Sequence, residues 1–260
     1  MPLLKSLFLG LIQGITEFLP VSSSAHLVIS EHIIGVQPSF FLNVSMHAGT
    51  MIATIIVYRK TIYEIIHGLF RGQENEIKYF TRILAATVIS AIAAFFIVSI
   101  TGENILHRKK IIGISLLVTA VILFLSDRIK NTQPKTLCQI SLLNILLIGL
   151  AQGIAVFPGI SRSGITIASC LFLKMERSAA TKFSFILSIP IIMIALIYET
   201  IVSCDNIGNS YDFPGLLSGF FAALISGLIA IKLMIMLVKS RRLTVFAVYC
   251  ILLGTALFLV

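Results

Sequence analysis

The sequence predicts an all-α polytopic membrane protein, and three observations carry that prediction. The chain of 260 residues is 57% hydrophobic and only 12% charged, with a mean hydropathy of +1.02; soluble domains are about one quarter charged. Several apolar runs approach the roughly 20 residues that cross a bilayer core as a helix. One stretch occurs twice, as GLIQGITEFLPVSSSAHLVIS at 10–30 and as GLAQGIAVFPGISRSGITIAS at 149–169. Each copy is an apolar helix broken by proline (Pro20, Pro158), followed by a serine-rich elbow and a second apolar segment. The expected architecture is an inverted-topology repeat with two re-entrant broken-helix hairpins and about six full transmembrane helices. It forms a single integral membrane domain over 1–260, with repeat one at approximately 1–135 and repeat two at approximately 136–260.

Each element follows from local pattern. Lys5 to Phe18 and Val21 to Ile34 are each short for a crossing, so they read as a hairpin. Non-helical backbone at membrane depth must be buried in protein or line a cavity. The same reading applies to Cys138 to Phe157 with Ile160 to Leu173. The predicted full crossings are Phe40–Tyr58, Ile83–Ile100, Ile111–Leu125, Phe183–Val202 (kinked at Pro190), Phe220–Val238 and Leu243–Val260. Arg59 to Arg82 reads as a polar cytoplasmic loop, as do the basic turns 126–135, 174–182 and 239–242, because Lys and Arg favour that side. Cys204 to Pro214 carries Asp205 and Asp212 without Lys or Arg and reads as external. Arg108, Lys109 and Lys110 lie in a connection that the count places outside, against the charge rule. Three crossings separate the two copies, so the copies should face opposite ways.

The net charge of +9 is accounted for mainly by topology, with attraction to anionic headgroups or a phosphate substrate as a second contribution. Its basic residues sit in short loops between apolar runs, which excludes a nucleic-acid surface. The segment at 1–30 carries polar and ionisable residues and does not read as a removable signal peptide. Cys138, Cys170, Cys204 and Cys250 are scattered, form no metal spacing, and read mostly as small core residues.

The chemistry concentrates at the two breaks. Gln13 and Glu17 are four apart and share a helix face. A carboxylate in an apolar helix is costly unless paired or hydrated, so Glu17 reads as functional. Ser22, Ser23, Ser24 and His26 supply a hydroxyl nucleophile, phosphate donors and an acid or base near neutral pH. One serine is expected simply to cap the new helix. In PGISRSGIT, Gly159 permits an unusual backbone angle, Gly164 a close approach, and the helix start an anion site. Arg162 adds a planar fork suited to phosphate, flanked by Ser161 and Ser163, with Thr166 following. The ligand implied is a phosphate ester or anhydride on a lipid. Glu17 with Gln13 would hold a divalent cation against the phosphates, or Glu17 would orient His26 or a serine.

QGITEFLPVSSSAHL (13–27) and PGISRSGIT (158–166) resemble the two signature motifs of the bacterial undecaprenyl-diphosphate phosphatase family, also called the bacitracin-resistance protein family. The resemblance extends over the whole chain. It implies an integral enzyme of the bacterial plasma (inner) membrane that removes the terminal phosphate of undecaprenyl diphosphate, regenerating the carrier lipid for cell-wall synthesis. It also implies a divalent cation, Mg2+ or Ca2+, and re-entrant helices in an inverted repeat. Matched positions are Gln13 and Glu17, then Ser22, Ser23, Ser24 and His26, then Ser161, Arg162 and Ser163. Three positions depart from the family: Gln13 stands where many members have Glu, Asn144 where they often have Asp, and Ala25 where Gly is frequent. The expected roles are catalytic for Glu17, Ser23, His26 and Arg162. Ser22, Ser24, Ser161, Ser163, Gly164 and Thr166 are expected to bind substrate, and Gln13 with Glu17 the metal. Ser23 is the first choice of nucleophile with His26 as its base or acid, and His26 as direct nucleophile is the second. The partners are a polyprenyl diphosphate and membrane lipids; the oligomeric state stays open between monomer and homodimer. The rival function is a flippase or transporter of the same lipid. A phosphatidic-acid-type phosphatase is excluded, because no His follows Arg162.

Overall fold

Ten α-helices and one short 3-10 turn make up the described residues of the computed structural model, which are 3–37, 39–102, 108–130, 134–202 and 213–259. In order, the helices are α1 (Leu3–Phe18), α2 (Ser23–Ile33), α3 (Phe40–Phe70), α4 (Glu74–Thr101), α5 (Lys109–Asp127), α6 (Leu142–Ile154), α7 (Arg162–Phe172), α8 (Arg177–Val202), α9 (Phe213–Lys239) and α10 (Leu243–Leu259). Among the described residues, five of them (α3, α4, α5, α8, α9) are long and apolar enough to cross a membrane. The sixth expected crossing, α10, has 17 residues and is uniformly apolar. The protein is a multi-pass membrane protein. Large apolar side chains such as Phe95, Phe96, Ile225 and Ile229 are exposed on its outside, as a lipid-facing surface requires.

One local expectation changes. The stretch 59–82 is almost entirely helical: α3 bends at Tyr58, continues to Phe70, and α4 starts at Glu74 after a short turn. The end of the apolar run coincides with the bend at Tyr58, but leaving an apolar run is no reason to stop hydrogen-bonding along the helix. Polar residues sustain it, as where Lys78 pairs with Glu74 one turn away. Pro190, the expected kink, lies inside α8. The Asp205 and Asp212 loop lies almost wholly outside the described residues, as do parts of the connections at 103–107 and 131–133.

Small residues set the packing. Without a hydrophobic drive between helices in lipid, close backbone approach supplies dispersion contacts. Both sequence copies begin with a Gly-x-x-x-Gly pair, Gly10/Gly14 and Gly149/Gly153. A Cβ added at Gly10 would meet the Gly219 carbonyl oxygen at 2.4 Å, and one at Gly149 the Ala86 carbonyl oxygen at 2.5 Å. Thus α1 lies against α9 and α6 against α4. Helices α5 and α10 pack on each other, as do α3 and α9, and α3 and α8. Phe18, Phe183 and Phe185 fill the centre, with Phe18 edge-on to Phe185 at 5.4 Å.

Candidate active site

The site lies where the two broken helices meet. In the first copy α1 ends at Phe18, and the chain turns through Leu19, Pro20 and Val21. Ser22 caps α2 by accepting from the Ala25 N–H at 3.5 Å. In the second copy α6 ends at Ile154, and Ser161 caps α7 by accepting from the Gly164 N–H at 3.1 Å. These capping serines occupy equivalent places in the repeat, and each lies beside a second serine, Ser24 at 3.1 Å and Ser163 at 3.2 Å. Gly159 has φ of 102°, and Thr119 of α5 holds this elbow by donating to the Gly159 carbonyl at 2.9 Å and accepting from the Ser161 N–H at 3.1 Å.

The elbows touch directly. The Gly159 N–H donates to Ser22 Oγ at 2.9 Å. A Cβ at Gly164 would stand 3.1 Å from Pro20 Cβ, so glycine allows the two turns to meet. Ser22 has φ of 69°, outside the regions favoured by non-glycine residues. Such a conformation costs on the order of 1–3 kcal/mol and persists where surrounding contacts hold it.

Glu17 is the hub across this junction. Its Oε1 accepts from Arg162 Nη2, forming an ion pair between residues 145 apart in the chain. Its Oε2 accepts from Ser23 Oγ at 2.7 Å and from Gln13 Nε2 at 3.1 Å. Ser23 and Arg162 are the first residues of α2 and α7, so equivalent helix starts converge on one carboxylate. Arg162 Nη1 is buried and has no hydrogen-bond partner among the described residues; the same holds for Gln13 Oε1. A guanidinium nitrogen left this way is costly unless an acceptor arrives.

His26 points elsewhere. Its Nδ1 donates to the Ser22 carbonyl at 2.8 Å, so Nε2 accepts from the Tyr249 hydroxyl of α10 at 2.6 Å. The two rings stack at 5.6 Å. The expected contact between His26 and Ser23 is therefore absent among the described hydrogen bonds: Ser23 bonds Glu17. The hydroxyls expected to bind substrate mostly form the joint. Ser22, Ser161, Ser163 and Thr166 are buried, and Thr166 bonds the Arg162 carbonyl at 2.8 Å and Ser184 Oγ. Asn144 lies at the far end of α6, where its N–H is capped by Ser141.

A family model described as bacitracin resistance protein BacA matches residues 6–256. The chain belongs to this family. Similar proteins include one from Thermosipho africanus, 41% identical over 99% of this chain and 100% of that one. Others come from Christiangramia forsetii, 37% identical over 98% and 97% of the two chains, and Korarchaeum cryptofilum, 37% identical over 99% and 98%. All three bear the name undecaprenyl-diphosphatase.

In this BacA chain, the structure also brings in residues to which sequence reading assigned no role. His47 of α3 reaches Gln13 with Nδ1 at 3.0 Å from Nε2; its only signal was a polar side chain in an apolar run. Tyr249 and Thr119 carried no signal at all, because one tyrosine or threonine in an apolar helix is ordinary.

Proposed function

We propose that this chain hydrolyses undecaprenyl diphosphate to undecaprenyl phosphate and inorganic phosphate, recycling the carrier lipid in the bacterial plasma membrane and so conferring bacitracin resistance. The observation that carries the reading is Arg162 Nη1, buried and without a partner among the described residues, on a guanidinium that shares the Glu17 carboxylate with the Ser23 hydroxyl. A phosphate oxygen satisfies that nitrogen and draws the guanidinium toward the anion. Glu17, released from its ion pair, then becomes the stronger base. Ser23 Oγ attacks the terminal phosphorus, its proton passes to Glu17 Oε2, and the bond to the bridging oxygen breaks with undecaprenyl phosphate leaving. Glu17 passes that proton to the departing undecaprenyl phosphate. Water then attacks the phosphoserine, its proton going to Glu17 and from there to the serine oxygen, which leaves as the hydroxyl as inorganic phosphate is released. General-base catalysis of this kind contributes typically about 10²–10⁴-fold. His26, donating to the Ser22 carbonyl, is assigned to holding the strained elbow.

The donor set also fits a hard divalent cation, Mg2+ or Ca2+. Gln13 Oε1 is a carbonyl oxygen with no hydrogen-bond partner among the described residues, on the amide whose Nε2 bonds the Glu17 carboxylate, and magnesium commonly binds through one or two carboxylates plus substrate phosphates. When bound, such an ion would neutralise charge on the diphosphate; Gln13 and Glu17 would hold it. Every residue of the cluster comes from one chain, so the reading needs no second copy. The common frame of the two elbows, with α1 on α9 and α6 on α4, supports an inverted repeat within one membrane domain.

Purified protein in detergent should release phosphate from undecaprenyl diphosphate, and a chelator should stop it. Arg162→Ala should lower turnover at least a hundredfold, on the scale of losing a preorganised charge contact. Phosphate release by Arg162→Ala at the unmodified rate would refute the clamp, and no release by the unmodified protein would favour a lipid flippase.

A further inference from the structure

His47 carries an assignment that the chemistry above leaves unused. It sits on α3, yet its imidazole reaches the α1 residue that touches Glu17. Gln13 Nε2 carries two hydrogens and accepts none. One goes to Glu17 Oε2 at 3.1 Å and the other to His47 Nδ1 at 3.0 Å. His47 Nδ1 is therefore the acceptor, and its ring proton is on Nε2. The alternative amide orientation would place Gln13 Oε1 against the carboxylate, acceptor to acceptor. Both contacts fall on the same nitrogen, so His47 adds a second acceptor that favours the observed orientation.

The reach is built into the helix packing. Gly10 and Gly14 of α1 and Gly49 of α3 all lie against α9: an added Cβ would meet the Gly219 carbonyl oxygen at 2.4 Å, Ser226 Oγ at 2.0 Å and the Phe220 carbonyl oxygen at 2.5 Å respectively. Both helices are pinned on the same support, so the separation between Gln13 and His47 is fixed by backbone contacts rather than by flexible side chains. Gln13 is itself fully buried.

We infer that His47 is a positioning residue for the phosphatase reaction: it orients the Gln13 amide so that Gln13 holds the Glu17 carboxylate toward Ser23. This rests on the phosphatase reading. A misplaced catalytic group can cost about a hundredfold in rate, so the effect belongs in kcat rather than in substrate affinity. His47→Leu should lower kcat for undecaprenyl diphosphate by roughly ten- to a hundredfold with KM little changed. His47→Asn, whose Oδ1 lies near the place of Nδ1 and still accepts, should recover most of the loss. Combining His47→Leu with Gln13→Leu should be no worse than Gln13→Leu alone, because one path carries both effects. In ¹⁵N-histidine spectra of the full chain, the His47 resonance should show an unprotonated Nδ1 and should move in Gln13→Leu. Unchanged kcat in His47→Leu, no recovery in His47→Asn, additive loss in the double variant, or an unmoved His47 resonance each overturns the assignment while leaving the phosphatase reading standing. Absence of phosphate release from the unmodified protein sinks both.

Discussion

Ser22 shows how far a single residue reaches in this fold. Its hydroxyl caps α2, contacts Ser24 and accepts the Gly159 N–H of the other hairpin, while its backbone holds a φ of 69°. Removing the hydroxyl leaves a buried N–H without its acceptor, a loss of about 1–3 kcal/mol. Ser22→Ala should therefore lower the thermal unfolding midpoint in detergent and reduce phosphate release. Among the described residues Ser24 Oγ bonds only Ser22, so the midpoint of Ser24→Ala should stay near that of the unmodified protein. The serine-rich elbow was legible as a helix start, since capping is a local property of Ser with the next turn. Which of the three serines caps, and which faces Glu17, depended on a backbone angle that no residue preference announces.

At the scale of elements, the glycine pairs are the joints. Gly10 meets the Gly219 carbonyl and Gly149 the Ala86 carbonyl, in both cases backbone atoms that cannot rotate away. Overpacking of this kind costs typically about 1–3 kcal/mol. Gly10→Ala should push α1 off α9, carrying Gln13 and Glu17 away from Arg162, and so lose activity together with stability. An intermolecular readout is unnecessary: thermal unfolding and phosphate release on the same preparation suffice, and Gly10→Ala with both properties intact would contradict the close approach. The breaks near Pro20 and Pro158 were visible from sequence, because proline lacks the N–H a helix needs. The helical character of 59–82 was not visible, because polarity marks the end of the apolar layer and carries no information about where helical hydrogen bonding ends.

Across the whole molecule, two charged clusters tie distant segments together. One is the Glu17–Arg162 junction. The other lies at the ends of α5, α8, α9 and α10, where Arg177 donates to Asp127 Oδ1 at 3.2 Å, to the Asp127 carbonyl at 3.0 Å and to the Val238 carbonyl at 3.2 Å. Asp127 Oδ2 accepts from the Thr244 N–H at 3.1 Å and its hydroxyl at 2.9 Å, capping α10. Both partners of this pair are largely buried, and breaking a buried pair from one side typically costs about 3–5 kcal/mol. Asp127→Ala should lower thermal stability by an amount of that order, measured in detergent, while Asp127→Asn should retain the bonds to Thr244 and lose less. An equal loss in both variants would place the stabilisation in the charge alone rather than in the cap.

By itself the sequence determined the apolar helices, the two breaks, the presence of a serine cap after the first and the residue types gathered at each break, because all of these are set within a turn or two of the chain. Glu17 could be named as a candidate on the cost of placing a carboxylate in an apolar segment, and Ser23 and Arg162 on their place at the two helix starts. Only the tertiary structure decided their partners. Ser23 turned to Glu17 and His26 to Tyr249, and His47 entered through Gln13, because those partners come from helices brought together by the packing, as where small residues seat α1 and α3 on α9. Residues that far apart in the chain share no local signal, so the meeting of a carboxylate and a guanidinium 145 positions away is a property of the packed molecule.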